Sequence, residues 1–229
     1  MSYTEIHCSS HEDWLLKRVN GIGASECSSI IGRNPYKTNL ELYNEKVGIA
    51  IKEDISSKPQ VIYGKNAEKH IRALFALKHS EYEVIDPDDE HPTILQSQYY
   101  PFIICTLDGI LIEKKSGKKG VLEVKTSEII SSQHKESWKD GKVPENYFCQ
   151  VLHQLYVTGF DFAILVAELR FEKTLDNGEK EYWSAIREYR FERTDYIEDI
   201  KILIKEEIIF WKNYVEKGIE PPLKLNLNI

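Results

Sequence analysis

Apolar positions along the chain recur with two periods, and the changes of period divide it into elements. Spacings of three and four residues predict helices over 25–31, opened by Ser25, and over 38–48, where Thr38 and Glu41 stand in capping-box spacing and Gly48 stops the run. A third helix covers 64–79, with Ala67, Ile71, Leu74 and Phe75 as its apolar stripe. Pro144 at a first helical position and Gly159 as a stop bracket a fourth, and 194–218 reads as a long closing helix. Residues 49–60 read as an exposed connection and 86–92 as a loop. Two β-type runs, 102–113 and 120–126, flank the turn-like "KKSGKK" and predict a hairpin; two more, 162–169 and 181–191, flank Asn177-Gly178. The order predicts one α/β domain over 1–229, with a central mixed sheet and helices on its faces.

The hairpin raises a chemical question. "GVLEVKT" places Glu123 and Lys125 two apart, hence on one face of a strand whose packing asks for neither charge. A turn centred within "KKSG" sets Gly109 opposite Leu122 and Asp108 opposite Glu123, where two carboxylates repel unless a cation lies between them. Magnesium prefers oxygen ligands, so Asp108, Glu123 and the backbone carbonyl of Val124 make a half-shell for Mg2+. Lys125 then faces a metal-bound water or the phosphate it attacks, which is what phosphodiester hydrolysis requires. An exposed strand edge with a Glu–Lys pair would give the same short motif.

Glu68 falls on the inward stripe of its helix and needs a partner, either a buried salt bridge or the same metal centre. In "RVNGIGASE", Arg18 precedes Ser25 by seven residues, with Gly21 and Gly23 leading into a helix start. Free N–H groups there and a bidentate arginine would make an anion pocket. The stretch does not follow a β-strand and lacks a dinucleotide-binding fingerprint. Gln150 and Gln154 form a polar row on the fourth helix, with Gln150 the candidate to point at the site. His7 and His11 read as a surface pair and His153 as structural.

Composition adjusts this picture only a little. The 229 residues are 41% hydrophobic and 29% charged, ordinary for a globular protein. Neither a run long enough to span a membrane nor a secretory signal occurs, so a cytosolic location without a membrane partner is expected. The net charge of -7 argues against a protein that coats nucleic acid. Between 114 and 142, however, eight lysines face four acids, which fits either a focused basic patch or a solvated turn and helix face. Cys8, Cys27, Cys105 and Cys149 are too scattered for a metal or disulfide framework and read as small buried hydrophobes.

The ordered set "GIGASECSSIIGRNPYKTNLELYNEKVG", "YGKNAEKHIRALF", "TLDGIL", "LEVKT", "PENYFCQVLHQLYVTG" and "FWKNYVEKGIEPP" resembles the YqaJ-type viral recombinases, phage alkaline exonucleases similar to λ exonuclease, over about residues 15–222. The resemblance implies a PD-(D/E)XK nuclease core. It also implies a Mg2+-dependent exonuclease, with Mn2+ as substitute, that degrades the 5′-ended strand of linear double-stranded DNA. The 3′ overhangs would go to a single-strand annealing protein. By motif, Asp108, Glu123 and Val124 would be metal ligands and Glu68 a further ligand or a water-orienting group. Lys125 would be the activating lysine, Gln150 the glutamine after the core motif, and Arg18 and Ser25 the holders of the 5′-phosphate. Leu107 stands where the superfamily's name has proline. The resemblance further implies a homotrimeric ring and a bacterial host cytoplasm with a phage or prophage gene. An endonuclease of restriction or repair type and a non-catalytic DNA-end-binding module are the alternatives.

Overall fold

The structure, a computed structural model, describes residues 3–51, 53–175 and 178–225. Strands are β1 (Tyr3–His7), β2 (Ile22–Gly23), β3 (Tyr82–Ile85), β4 (Thr93–Ser97), β5 (Ile103–Cys105), β6 (Gly109–Glu113), β7 (Lys119–Glu128), β8 (Phe162–Thr174) and β9 (Lys180–Glu192). Helices are α1 (His11–Arg18), α2 (Cys27–Ile30), α3 (Asn39–Lys46), α4 (Pro59–Lys78), α5 (Ser132–Glu136), α6 (Glu145–Thr158) and α7 (Ile197–Phe210). Among these residues the strands form two mixed sheets, one in the order β1-β4-β5-β2 and one in the order β3-β6-β7-β8-β9.

The mixed α/β class expected from sequence holds, but the single central sheet becomes two. The reason lies in 102–113, read above as one strand. Ile103–Cys105 pairs with β4 and β2, whereas Gly109–Glu113 pairs with β3 and β7. Thr106, Leu107 and Asp108 therefore cross from one sheet to the other. The β6–β7 hairpin has the expected register, with Gly109 opposite Leu122 and Ile110 opposite Val121.

Strand β7 is buried on both faces, as a strand with a parallel neighbour commonly is. Its even-numbered Leu122 and Val124 pack with Ile71 and Phe75 of α4. Odd-numbered Val121 joins the larger core with Val151, Leu152 and Leu155 of α6 and Leu203 and Ile204 of α7. The period-2 geometry that buries these residues also turns Glu123 and Lys125 toward the side of α6.

Several local expectations hold. The Thr38–Glu41 capping box forms at the start of α3, Gly48 and Gly159 adopt the left-handed conformation after their helices, and all four cysteines are buried and free. Others need correction. Helix α2 is preceded by Glu26 without a side-chain cap, so Ser25 does not open it. Helix α4 starts at Pro59, whose fixed backbone suits a first turn, and Leu74 lies on its exposed side. Pro144 stands at the N-cap of α6 rather than inside it. The closing helix is flanked by a 3-10 turn, Arg193–Tyr196, and a π turn, Trp211–Val215. Asn177 lies outside the described residues.

Candidate active site

Where the ladder between β6 and β7 ends, Asp108 continues it with its side chain: Oδ2 accepts the Val124 N–H at 2.8 Å. The backbone carbonyl of Asp108 accepts from Arg72 Nη1 at 2.8 Å. Gly109 permits that approach, since a Cβ there would stand 3.3–3.4 Å from Leu122 and Arg72. Arg72, almost fully buried, also binds Glu68 at 3.1 Å and Asp86 at 2.7 Å. The partner that Glu68 needed is thus an arginine one turn along its own helix. Glu68 still borders the same cleft as Asp108 and Glu123.

Glu123 is buried. Its Oε1 accepts from Lys125 Nζ at 2.5 Å and Gln150 Nε2 at 2.5 Å, and its Oε2 accepts from Gln154 Nε2 at 2.6 Å. Burial and the neighbouring charge of Glu123 push the Asp108 carboxyl well above the usual carboxylate range, tempered by Lys125. Burial likewise raises the pKa of Glu68, with Glu123 adding to it against the opposing effect of Arg72. Burial works against the charge of Lys125, yet Glu123 and Asp108 keep its ammonium protonated. The site therefore sets two cations among three neighbouring carboxyls, Lys125 on Glu123 and Arg72 on Glu68.

A cleft of about 710 Å³ brings together Arg18, Ser25, Glu68, Asp108, Glu123, Lys125 and Gln150. Only the Val124 side chain turns elsewhere, into the α4 core. Arg18 closes α1 with Nη2 at 3.5 Å from Ser25 Oγ and its guanidinium carbon 4.4 Å from the Trp14 ring centroid. Trp14 Nε1 in turn donates to Thr106 Oγ1 at 2.9 Å, which ties α1 to the crossover that carries Asp108. A Cβ at Gly23 would lie 2.6 Å from Arg18 Nη2, so a side chain there would displace the arginine. The Gly23 N–H is not free: Glu26 Oε2 accepts it at 2.8 Å and accepts Lys46 Nζ at 2.8 Å. Gly23 also belongs to a short strand, β2, which runs parallel to β5, so the stretch between Arg18 and Ser25, expected to follow no strand, itself contains one at a sheet edge.

Residues 13–161 match the YqaJ-like viral recombinase domain. The curated protein YqaJ of Bacillus subtilis (strain 168), itself described as uncharacterized, is 31% identical over 93% of this chain. The chain belongs to the YqaJ-like viral recombinase domain family. It spans 59% of the length of that relative. Among solved structures, the alkaline exonuclease LHK-Exo from Laribacter hongkongensis aligns with a TM-score of 0.58 at 16% identity, over 90% of this chain and 95% of that one. LHK-Exo in complex with dAMP gives 0.59 at 18% identity, over the same shares. A phage-related exonuclease from Haemophilus somnus 129PT gives 0.52 at 13% identity, over 86% and 96%. These likenesses place the YqaJ-like chain in the PD-(D/E)XK type of fold.

Sequence reasoning missed the supports of this YqaJ-like site. Arg72, Trp14, Glu26 and Lys46 carried no motif, and Gln154 was read only as part of a polar row. The signal available was the helical spacing of Gln150 and Gln154, one turn apart beside apolar neighbours. Among the eight lysines of 114–142, Lys125 lines the cleft, while its basic rim comes from Lys65 and Lys69 of α4. His153 is structural, as expected. Its Nδ1 lies 2.9 Å from Glu207 Oε1 and its Nε2 2.9 Å from the Ile104 carbonyl. Burial opposes its protonation, but Glu207 raises its pKa, and Cys27 lies close to the same pair. Among the described residues no helix is long and apolar enough to cross a membrane.

Proposed function

We propose that this YqaJ-like domain is a metal-dependent deoxyribonuclease acting as a 5′-to-3′ exonuclease on linear double-stranded DNA. The observation that carries the reading is that Asp108, Glu123 and Glu68 line one open cleft, close enough for Glu123 to raise the carboxyl pKa of both others, with Lys125 on Glu123 and Arg72 on Glu68. Like charges packed this way are costly without a cation, and an all-oxygen donor set suits Mg2+, or Mn2+ as substitute. Asp108, Glu123, the Val124 carbonyl and Glu68 would hold it, and when bound it supplies a nucleophilic hydroxide at neutral pH and charge neutralisation at phosphorus.

The protein's own residues do the rest. Lys125, kept charged, stabilises the negative charge that builds on the phosphate oxygens. Gln150 holds Glu123 from the cleft side and helps orient the attacking water. Arg18, backed by the Trp14 ring, and the exposed Ser25 hydroxyl receive the 5′-phosphate of the DNA end. A relative crystallised with dAMP, a nucleoside monophosphate, supports mononucleotide release. Family membership supports a recombination role in which 3′ overhangs pass to a single-strand annealing protein. A homotrimeric ring would let an acidic chain enclose duplex, and a phage-type enzyme would work in the bacterial cytoplasm.

A gel following end-labelled linear duplex tests this. Shortening of the 5′-ended strand only with Mg2+ or Mn2+ present is the expected result, and an untouched substrate would reject it in favour of an end-binding module. Cutting of covalently closed circles would instead point to an endonuclease.

A further inference from the structure

The two oxygens of Glu123 are served from different sides. Lys125 and Gln150, which meet Oε1, both line the cleft. Gln154, which meets Oε2, does not line it and is 0% exposed. It stands one helical turn beyond Gln150 and reaches Glu123 from behind. Its amide nitrogen has a second direction, 3.5 Å from the Thr106 carbonyl, on the crossover that leads into Asp108. Its own Oε1 is buried without a hydrogen-bond partner. A core-filling role would be met as well by an apolar residue, and without an orphaned carbonyl. What sets this glutamine apart is what its nitrogen holds.

Resting on the nuclease reading above, we infer that Gln154 is a positioning residue for the cation site: it pins Glu123 Oε2 to the strand crossover so that Oε1 alone is presented to the ion. The carboxylate cannot rotate while Oε2 is held, and the glutamate keeps its distance from Asp108. Glu123 Oε1, met from the cleft by Lys125 and Gln150, would then be the oxygen free to hold an ion while the rear bond stays in place. The two glutamines thereby divide one task. Gln150 faces substrate, and Gln154 acts only through Glu123. Supports of this kind alter metal affinity by about 10–100-fold when removed.

The test is calorimetric titration of Mn2+ into the full chain without DNA, comparing wild type with Gln154→Met, which keeps the volume and removes the donor. The expected result is a Kd for Mn2+ weakened at least tenfold. Exonuclease assays at saturating Mn2+ should then recover wild-type kcat with KM for DNA unchanged. Gln154→Asn, which keeps an amide but withdraws it by a methylene, should weaken Mn2+ to a similar degree and serves if the methionine variant fails to fold. A wild type that binds Mn2+ while a folded Gln154 variant binds it equally well would overturn the assignment alone. A wild type that takes up no Mn2+ would overturn the nuclease reading, and the assignment with it.

Discussion

At Glu26 and again at Glu123 the chain buries a glutamate against a lysine, and the two pairs behave differently. Glu26 meets Lys46, the Gly23 N–H and the nearby charge of Arg18. Burial alone would raise its pKa, but these groups hold it down to about 2. Glu123 meets Lys125 as closely, yet Asp108 and Glu68 stand beside it and have their carboxyls pushed upward. One pair is balanced and stiffens the floor under Arg18; the other has two further carboxyls beside it, more acids than Lys125 and the Arg72 on Glu68 offset. A buried ion pair is thus no guide to its own role, and the charges just beyond it are.

Four experiments would break or sharpen this contrast. The largest effect is expected from Lys125→Ala and Asp108→Ala, which should reduce DNA cleavage by about 10³-fold while DNA binding persists in a gel shift. Cleavage by Lys125→Ala at the wild-type rate would remove the lysine from the mechanism. Lys46→Met should next lower stability by about 3 kcal/mol, because Glu26 is left with a buried charge and too few partners. Its carboxyl is depressed in the folded state, so the wild-type benefit is complete above the ordinary glutamate value near 4 and fades as pH falls toward about 2. Denaturant midpoints of wild type and variant should therefore converge between pH 6 and pH 2.5, and a constant gap would deny the pairing its role.

Asp108→Asn should act in the opposite direction. With chelator present it should raise Tm, since it relieves crowding with Glu123 while keeping an acceptor for the Val124 N–H. The wild type should gain about 2.7 kcal/mol at a Mg2+ level 100 times its Kd, and the variant little. A variant stabilised by Mg2+ as much as wild type would take Asp108 out of the ligand set. The smallest effect is expected from Arg18→Ala, about a tenfold loss in preference for a 5′-phosphate over a 5′-hydroxyl end, equivalent to roughly 1.4 kcal/mol. An unchanged ratio in competition digests would empty that pocket of its function.

Much of the site could be read before any coordinates. The turn between β6 and β7 fixed their register, and register brings Asp108 to Glu123 because strand neighbours are set by turn geometry. Period-2 alternation put Lys125 on the same face, and helical spacing put Gln150 and Gln154 in one row. Capping chemistry at Thr38 and Glu41 located α3 correctly for the same reason: the interactions involved span only a few residues.

The sequence by itself therefore determined helices α3 and α6, the hairpin and the residues that carry charge at its mouth. Only the tertiary structure decided that 102–113 changes sheets at Thr106–Asp108, that Glu68 leans on Arg72, that Glu26 and Lys46 underlie Arg18, and that Gln154 holds Glu123 from behind. Each of these joins groups from different elements, or depends on which face of a helix meets which sheet, and short-range patterns carry no record of that choice. Packing made it, when the core closed between α6, α7 and the two sheets.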